Sequence, residues 1–429
     1  VAADDDVTDD LGTVVVNGDS DSIIGTLAVA GAVSGSGTAI GVGLSGNNIT
    51  ASNKAAITNS TVTDADSVMV KAVNKREIKS LGGGVAGSNG STAAGFSATV
   101  NVLSSNDSLV DLSGSTITTD VGGITGQTLA DAKIGSIAAA ISASNGGAAI
   151  GGAATVNVTT ATNQVKADNA ILTSATGITL DADDTSTINS LSGGVAISIG
   201  STGVGAAISA NVLAHDTNVS ANNSTFTSNG GAISLTADND AEINSLAAGF
   251  AGSTGTAVSG STAVGYIGND TRVTSSGTQF TSGVDGNRQD ILLKSVAIGA
   301  GGAGVGAAVT VAIIHDTVTT DLIATNALIG KDLTVEAINN SGDISGSALR
   351  DRDDGFYKDG GINAIAVSAG GGSSVGFAGS LVYAQIGKPP SDVAALPNQN
   401  KADADDEDYA ADANTEAETE RDNAFEAVR

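Results

Sequence analysis

Residues 188–219 read INSLSGGVAISIGSTGVGAAISANVLAHDTNV, and this stretch decides the fold. Leu191, Gly193, Val195 and Ile197 alternate with Ser192, Gly194, Ala196 and Ser198, the period-two pattern of a β-strand. The cluster Gly200 to Gly203 breaks the run, and alternation resumes with Val204, Ala206, Ile208, Ala210 and Val212. A pair of strands joined as a hairpin is the expectation. One face carries medium aliphatic side chains. The other carries only Gly, Ala, Ser and Asn, so a further layer of backbone can approach it unusually closely.

The same words recur along the chain. An Ile-x-Ser/Thr-Leu/Ile tetrad starts at Ile24, Ile78, Ile134, Ile188 and Ile243, a nearly constant interval that marks a repeat array. Degenerate copies begin near Leu293 and Ile344, giving about seven units. In the clean units a turn glycine stands at the same offset beyond the first isoleucine, at Gly90, Gly146, Gly200 and Gly255. Return strands close on Val100-Asn101-Val102, Val156-Asn157-Val158 and Ala210-Asn211-Val212. Turns rich in Asn and Asp are expected next, at Asn106-Asp107, Asn163, His215-Asp216 and Asn269-Asp270. A short third strand (Ser60 to Thr63, Ser115 to Thr118, Ser224 to Thr227) and a fourth (Val68 to Val70, Ile178 to Leu180, Ile233 to Leu235) complete the unit. The fold class expected is all-β, a β-solenoid of about seven ~54-residue units, each unit forming two coils of about 27 residues. At about 4.8 Å per coil this makes a rod of roughly 60 to 70 Å.

The expected organisation is an incomplete N-terminal solenoid edge with an acidic patch at 1–23, the repeat array at 24–388 with an insertion at 349–361, and an acidic linker or helical tail at 389–429. Pro389-Pro390 marks the last boundary by stopping strand pairing. The first and last units are incomplete in complementary ways, which suggests end-to-end stacking between molecules or between blocks of a longer chain.

Composition supports a stacked array. Aromatic residues make up 3% of the chain and Trp is absent, while Gly numbers 58, so burial has to come from small residues packed regularly. Cysteine is absent, which excludes disulfides and thiolate metal sites. A net charge of -28 argues against nucleic acid, whose phosphates would be repelled. The uncharged run Ser295 to Ile314 has the length of a membrane span but is Gly-rich and matches the other hairpins, so membrane insertion is not expected.

The Ile-x-Ser-Leu tetrad, the Gly/Ala-rich arms, Val-Asn-Val and the closing Ile-x-Leu-x-Ala together resemble the repeats of large secreted bacterial proteins of the filamentous haemagglutinin and leukotoxin-repeat type. The resemblance covers roughly residues 13–388 and implies an extracellular or cell-surface location and an adhesin or fibre role. The expected function is a non-enzymatic structural rod, a filament subunit or adhesin stalk, with self-association and a cell-surface or carbohydrate ligand as partners. The alternatives weighed are a polysaccharide-active β-helix enzyme, disfavoured by scarce Lys and Arg, and a cytotoxic or pore-forming repeat protein.

Residues that could carry chemistry are few. His215-Asp216 and His315-Asp316 read as polar turn residues rather than general bases. No resident cofactor is expected, but Asp181, Asp183, Asp184, Asp238 and Asp240 could supply oxygens to calcium, with plain solvated acid as the alternative. Arg350, Arg352, Phe356 and Tyr357, in the insertion, are the candidates for a specific contact, because arginine and aromatic residues are scarce elsewhere.

Overall fold

Period-two alternation runs through the clean units with few interruptions, and the strands are correspondingly long. A computed structural model describes residues 12–231, 233–276, 284–323, 337–339 and 361–386. Each of the first four units contributes two long strands and a short one. The first three are β1 (Val14–Ser34), β2 (Ala39–Ala56) and β3 (Thr61–Ala65), and the second unit holds β4 (Val68–Ser88), β5 (Ala93–Asp111) and β6 (Thr116–Thr119). The third holds β7 (Ile124–Asn145), β8 (Ala149–Lys166) and β9 (Ile171–Ser174), and the fourth β10 (Ile178–Ile199), β11 (Thr202–Ser220) and β12 (Thr225–Ser228). Then come β13 (Ile233–Ser253), β14 (Thr256–Ser276), β15 (Val284–Ile323), β16 (Ala337–Asn339) and β17 (Gly361–Ile386).

Among the described residues all strand pairing is parallel, between equivalent strands of successive units. β1, β4, β7, β10 and β13 form one wall, β2, β5, β8, β11 and β14 the facing wall, and β3, β6, β9 and β12 a narrow third wall; β15 continues both long walls. Val14 lies beside Val68, and Ile178 beside both Ile124 and Ile233. Leu81, Ile137, Leu191 and Leu246 accordingly occupy a single column. The chain is all-β among the described residues, a solenoid-like winding of parallel strands.

The structure corrects several sequence expectations. The arms of the quoted stretch are not a hairpin: β10 bonds to β7 and β13, and β11 to β8 and β14, so the arms face each other as opposite walls. Nor is the fourth strand separate from the strand that carries the next tetrad. Alternation carries straight through LDADDTSTINSL, and β10 is continuous from Ile178 to Ile199. By the same logic β1 is continuous across the boundary expected at 23/24. Each unit therefore closes a single coil, about twice as wide as expected, and a stack of such coils is half as tall for the same number of residues.

The Asn/Asp-rich sites expected to be turns lie inside β5, β8 and β11. The corner falls a few residues later, where Asn59, Gly114, Asn169 and Asn223 each adopt positive φ (49°, 68°, 54° and 51°). Asn and Gly tolerate this left-handed backbone better than other residues.

Two kinds of interior result. At the base, where three walls meet, Val110, Ile117, Leu172, Ile178, Leu180 and Phe226 fill an apolar core, and a second cluster around Ile78, Leu103, Ile134, Ile188 and Leu213 lies further along the long strands. Toward the tip the third wall is missing and the long walls collapse onto each other. A Cβ placed on Gly194 would lie 2.0 Å from the carbonyl oxygen of Ala206, and one on Gly84 would lie 2.0 Å from that of Phe96. Sheets usually pack about 10 Å apart because side chains separate them; here the small-residue face lets backbone meet backbone, as the sequence suggested. The larger aliphatic side chains point outward, so the tip is a thin fin with apolar outer faces.

Candidate functional site

The tetrad that repeats most faithfully marks the transition from base to fin. Its first isoleucine points inward and is at most 1% exposed at Ile78, Ile134, Ile188 and Ile243. The serine two residues on also points inward. The residues between and after them face out, and they line a groove of about 860 Å³ running across five coils. Its walls are the column Leu27, Leu81, Ile137, Leu191, Leu246 and the column Gly25, Lys79, Gly135, Asn189, Asn244. The polar side chains on those two columns are one lysine and two asparagines, with Asn244 Nδ2 donating to Asn189 Oδ1 at 3.1 Å. No carboxylate or imidazole lines it. Such a surface can hold an aliphatic or extended partner, but it offers no acid and base pair.

Behind the groove lies an axial ladder that the sequence reading saw only as a recurring word. The central residue of Val-Asn-Val faces inward. Asn47 Nδ2 donates to Asn101 Oδ1 at 2.7 Å, Asn101 to Asn157 at 2.8 Å, and Asn157 to Asn211 at 2.7 Å. The second amide hydrogen crosses between walls: Asn101 reaches Ser80 Oγ and Asn157 reaches Ser136 Oγ, both at 2.9 Å. The tetrad serine and the Val-Asn-Val asparagine are thus partners, which explains why both recur. Equivalent amides about 4.8 Å apart suit this head-to-tail bonding.

His215 is not a turn residue. It points into the interior of β11 and is 0% exposed, as are Asp184 and Thr159. Its Nδ1 lies 2.9 Å from Asp184 Oδ1, and its Nε2 lies 2.9 Å from Thr159 Oγ1. Ser186 Oγ donates to Asp184 Oδ1 at 2.8 Å. The assignment that satisfies both ring nitrogens has Nδ1–H donating to the carboxylate and Nε2 accepting from the threonine. A hydroxyl, an imidazole and a carboxylate in line have the makings of a proton relay. Sealed between two walls, they have no room for a substrate, and their evident work is to pin β8, β10 and β11 together. His315 lies in β15 on the other side of its wall, since its register partner Gly268 faces outward where the inward residue is Ile267.

Of the five aspartates considered for calcium, Asp181, Asp183, Asp238 and Asp240 share the outer side of β10 and β13, and Asp184 points inward, onto His215. Asp183 is in register with Asp238. Among the described residues no group of three or more carboxylate or imidazole side chains is placed to hold a metal ion. Asp181 instead accepts a hydrogen bond from Gln127 Nε2 at 3.1 Å. Burial, followed by the charges of Asp181, Asp184, Asp240 and Asp131, raises the Asp183 carboxyl from 3.8 to about 6.

Arg350, Arg352, Phe356 and Tyr357 lie outside the described residues, as do the acidic patch at 1–11 and the segment 389–429. No helix among the described residues is long and apolar enough to cross a membrane. Comparison with family models, with curated proteins and with solved structures yields no match to this chain.

Proposed function

We propose that the chain is a structural segment of an extracellular or cell-surface fibre or adhesin stalk, an array of about seven stacked units without catalytic activity. The observation that carries this reading is the unbroken parallel register, residue on equivalent residue, along the wall of β1, β4, β7, β10 and β13. Such an array has backbone donors and acceptors open only along its axial edges, where another coil adds by the same pairing. Seven coils at about 4.8 Å give an axial step of roughly 34 Å, while strands of 21 or 22 residues make each coil about 70 Å wide. A stack of seven such coils is then broader than it is tall, and length comes from end-to-end addition. The resemblance to secreted adhesin repeats supports the location, and the acidic balance suits a protein kept soluble outside the cell.

Negative-stain electron microscopy of the purified chain tests this. Filaments that lengthen with concentration and repeat every ~34 Å along their axis, the height of seven stacked coils, are the expected result. Isolated particles at every concentration would remove the fibre reading.

A further inference from the structure

The outer face of the β1, β4, β7, β10, β13 wall carries ordered relief. In the groove column and again four residues further along each strand stand large aliphatic residues. The outer ridge is Val85, Ile141, Val195 and Phe250, aligned by register in successive coils. Between the two ridges runs a furrow of Gly83, Ala139, Gly193 and Ala248. Side chains in the middle of the array remain open to solvent even with coils above and below: Leu81 is 37% exposed, Val85 45%, Ile141 48% and Ile197 54%. No Asp, Glu, Lys or Arg occurs at 80–106, 134–165, 188–215 or 243–269, so in these units the fin carries no charge.

We infer that this face is a lateral interface with a second copy of the chain, distinct from axial growth. Three observations select that occupant. The face presents large aliphatic side chains left open in successive coils, among them Leu27, Leu81, Val85, Ile137, Ile141 and Leu191, a contiguous apolar surface of the kind soluble monomers rarely leave uncovered. The ridges and furrow themselves carry no charge, as in the core of an interface, while Lys79 at the groove and Glu77, Asp131, Lys133 and Glu242 beyond it fall at the polar rim. The relief fits itself. A half-turn about an axis parallel to the solenoid axis places the outer ridge of each copy over the groove of the other, and coils at equal height meet because both arrays share one rise. Flat wall then lies against flat wall, with ridges interleaved.

The absence of cysteine allows a direct test with the full chain. Gly135 lines the groove, where an added Cβ comes no nearer than 3.9 Å to any atom, and Ile141 stands on the ridge further along β7. The stretch of strand between them spans about 20 Å, too far for a disulfide within one chain. The double variant Gly135→Cys/Ile141→Cys is expected to form disulfide-linked dimers on mild oxidation, as is a mixture of the two single variants. Neither single variant does so alone. Axial stacking cannot bring these positions together, so the result is independent of whether filaments form. Sedimentation provides the second arm: Val85→Glu and Ile141→Glu each weaken dimerisation about tenfold or more while strand content by circular dichroism is retained. Ile141→Ser serves if a glutamate variant loses strand content. A chain monomeric up to about 100 µM, equal cross-linking of both single variants, or binding to phosphatidylcholine vesicles without self-association would each overturn the assignment.

Discussion

Gly193 and Gly194 are neighbours in sequence with opposite surroundings. A Cβ on Gly193 meets nothing within 4 Å, whereas one on Gly194 would press into the carbonyl of Ala206 at 2.0 Å. Gly194→Ala must push the two walls apart and is expected to cost about 3 kcal/mol, read as a lowered thermal midpoint, while Gly193→Ala leaves it unchanged or slightly raised. The alternation in the sequence already placed these residues on opposite faces. What it could not supply was the source of the close backbone, which at Gly194 is Ala206 on the return arm of the same unit, read from the sequence as a hairpin partner. Asp183 gives a pH signature of the same kind. Its folded-state value near 6 lies above the ordinary 3.8, so the folded protein holds this proton more tightly than the unfolded chain does. The ionised carboxylate therefore costs stability above pH 6, the cost shrinks through pH 6 to 4, and it vanishes once both states are protonated. Asp183→Asn is expected to stabilise the fold at pH 7 by about 1 kcal/mol after allowance for solvent screening, with no gain at pH 3.5 in thermal unfolding.

At the scale of the element, polar residues in long strands were the hard part to read. Asn163 and His215 signal turns by composition, yet both are 0% exposed and directed inward. A corner and a buried ladder use the same residue types, and only the phase of the alternation separates them. Asn157 shows what the ladder contributes. Asn157→Ala removes the acceptor of Asn101 and the donor to Asn211 and Ser136, leaving buried polar atoms without partners at a cost of about 3 kcal/mol. Asn47→Ala, at the rim of the described array with one ladder neighbour, is expected to cost less than half of that. Comparing the thermal midpoints of the two variants checks both values. The continuity of β4, β7 and β10 was legible in their unbroken alternation, but charged residues such as Asp181 and Asp183 imitate a loop when they occupy the outward positions of a strand.

For the whole molecule, the repeat length alone could not distinguish one wide coil from two narrow ones, since a unit of this size accommodates either. The register decides it and makes a prediction. Deleting residues 68–123, one complete coil, sets Ile124 in the place of Val68 and lets Asn47 meet Asn157, so the shortened chain is expected to keep its strand content and cooperative melting. Deleting 68–95, half a coil, places groove positions over core positions and is expected to abolish folding. Circular dichroism melts of the two variants decide between one coil per unit and two.

That each residue's axial neighbour lies a whole unit away along the chain also fixes how the object can be made. A growing chain gains nothing from its first turn, which has no template, but every later turn finds a complete one already waiting. Assembly then proceeds like winding thread onto a spool, from whichever extremity emerges first, and the same geometry means that tension applied at one extremity would strip the windings off one by one.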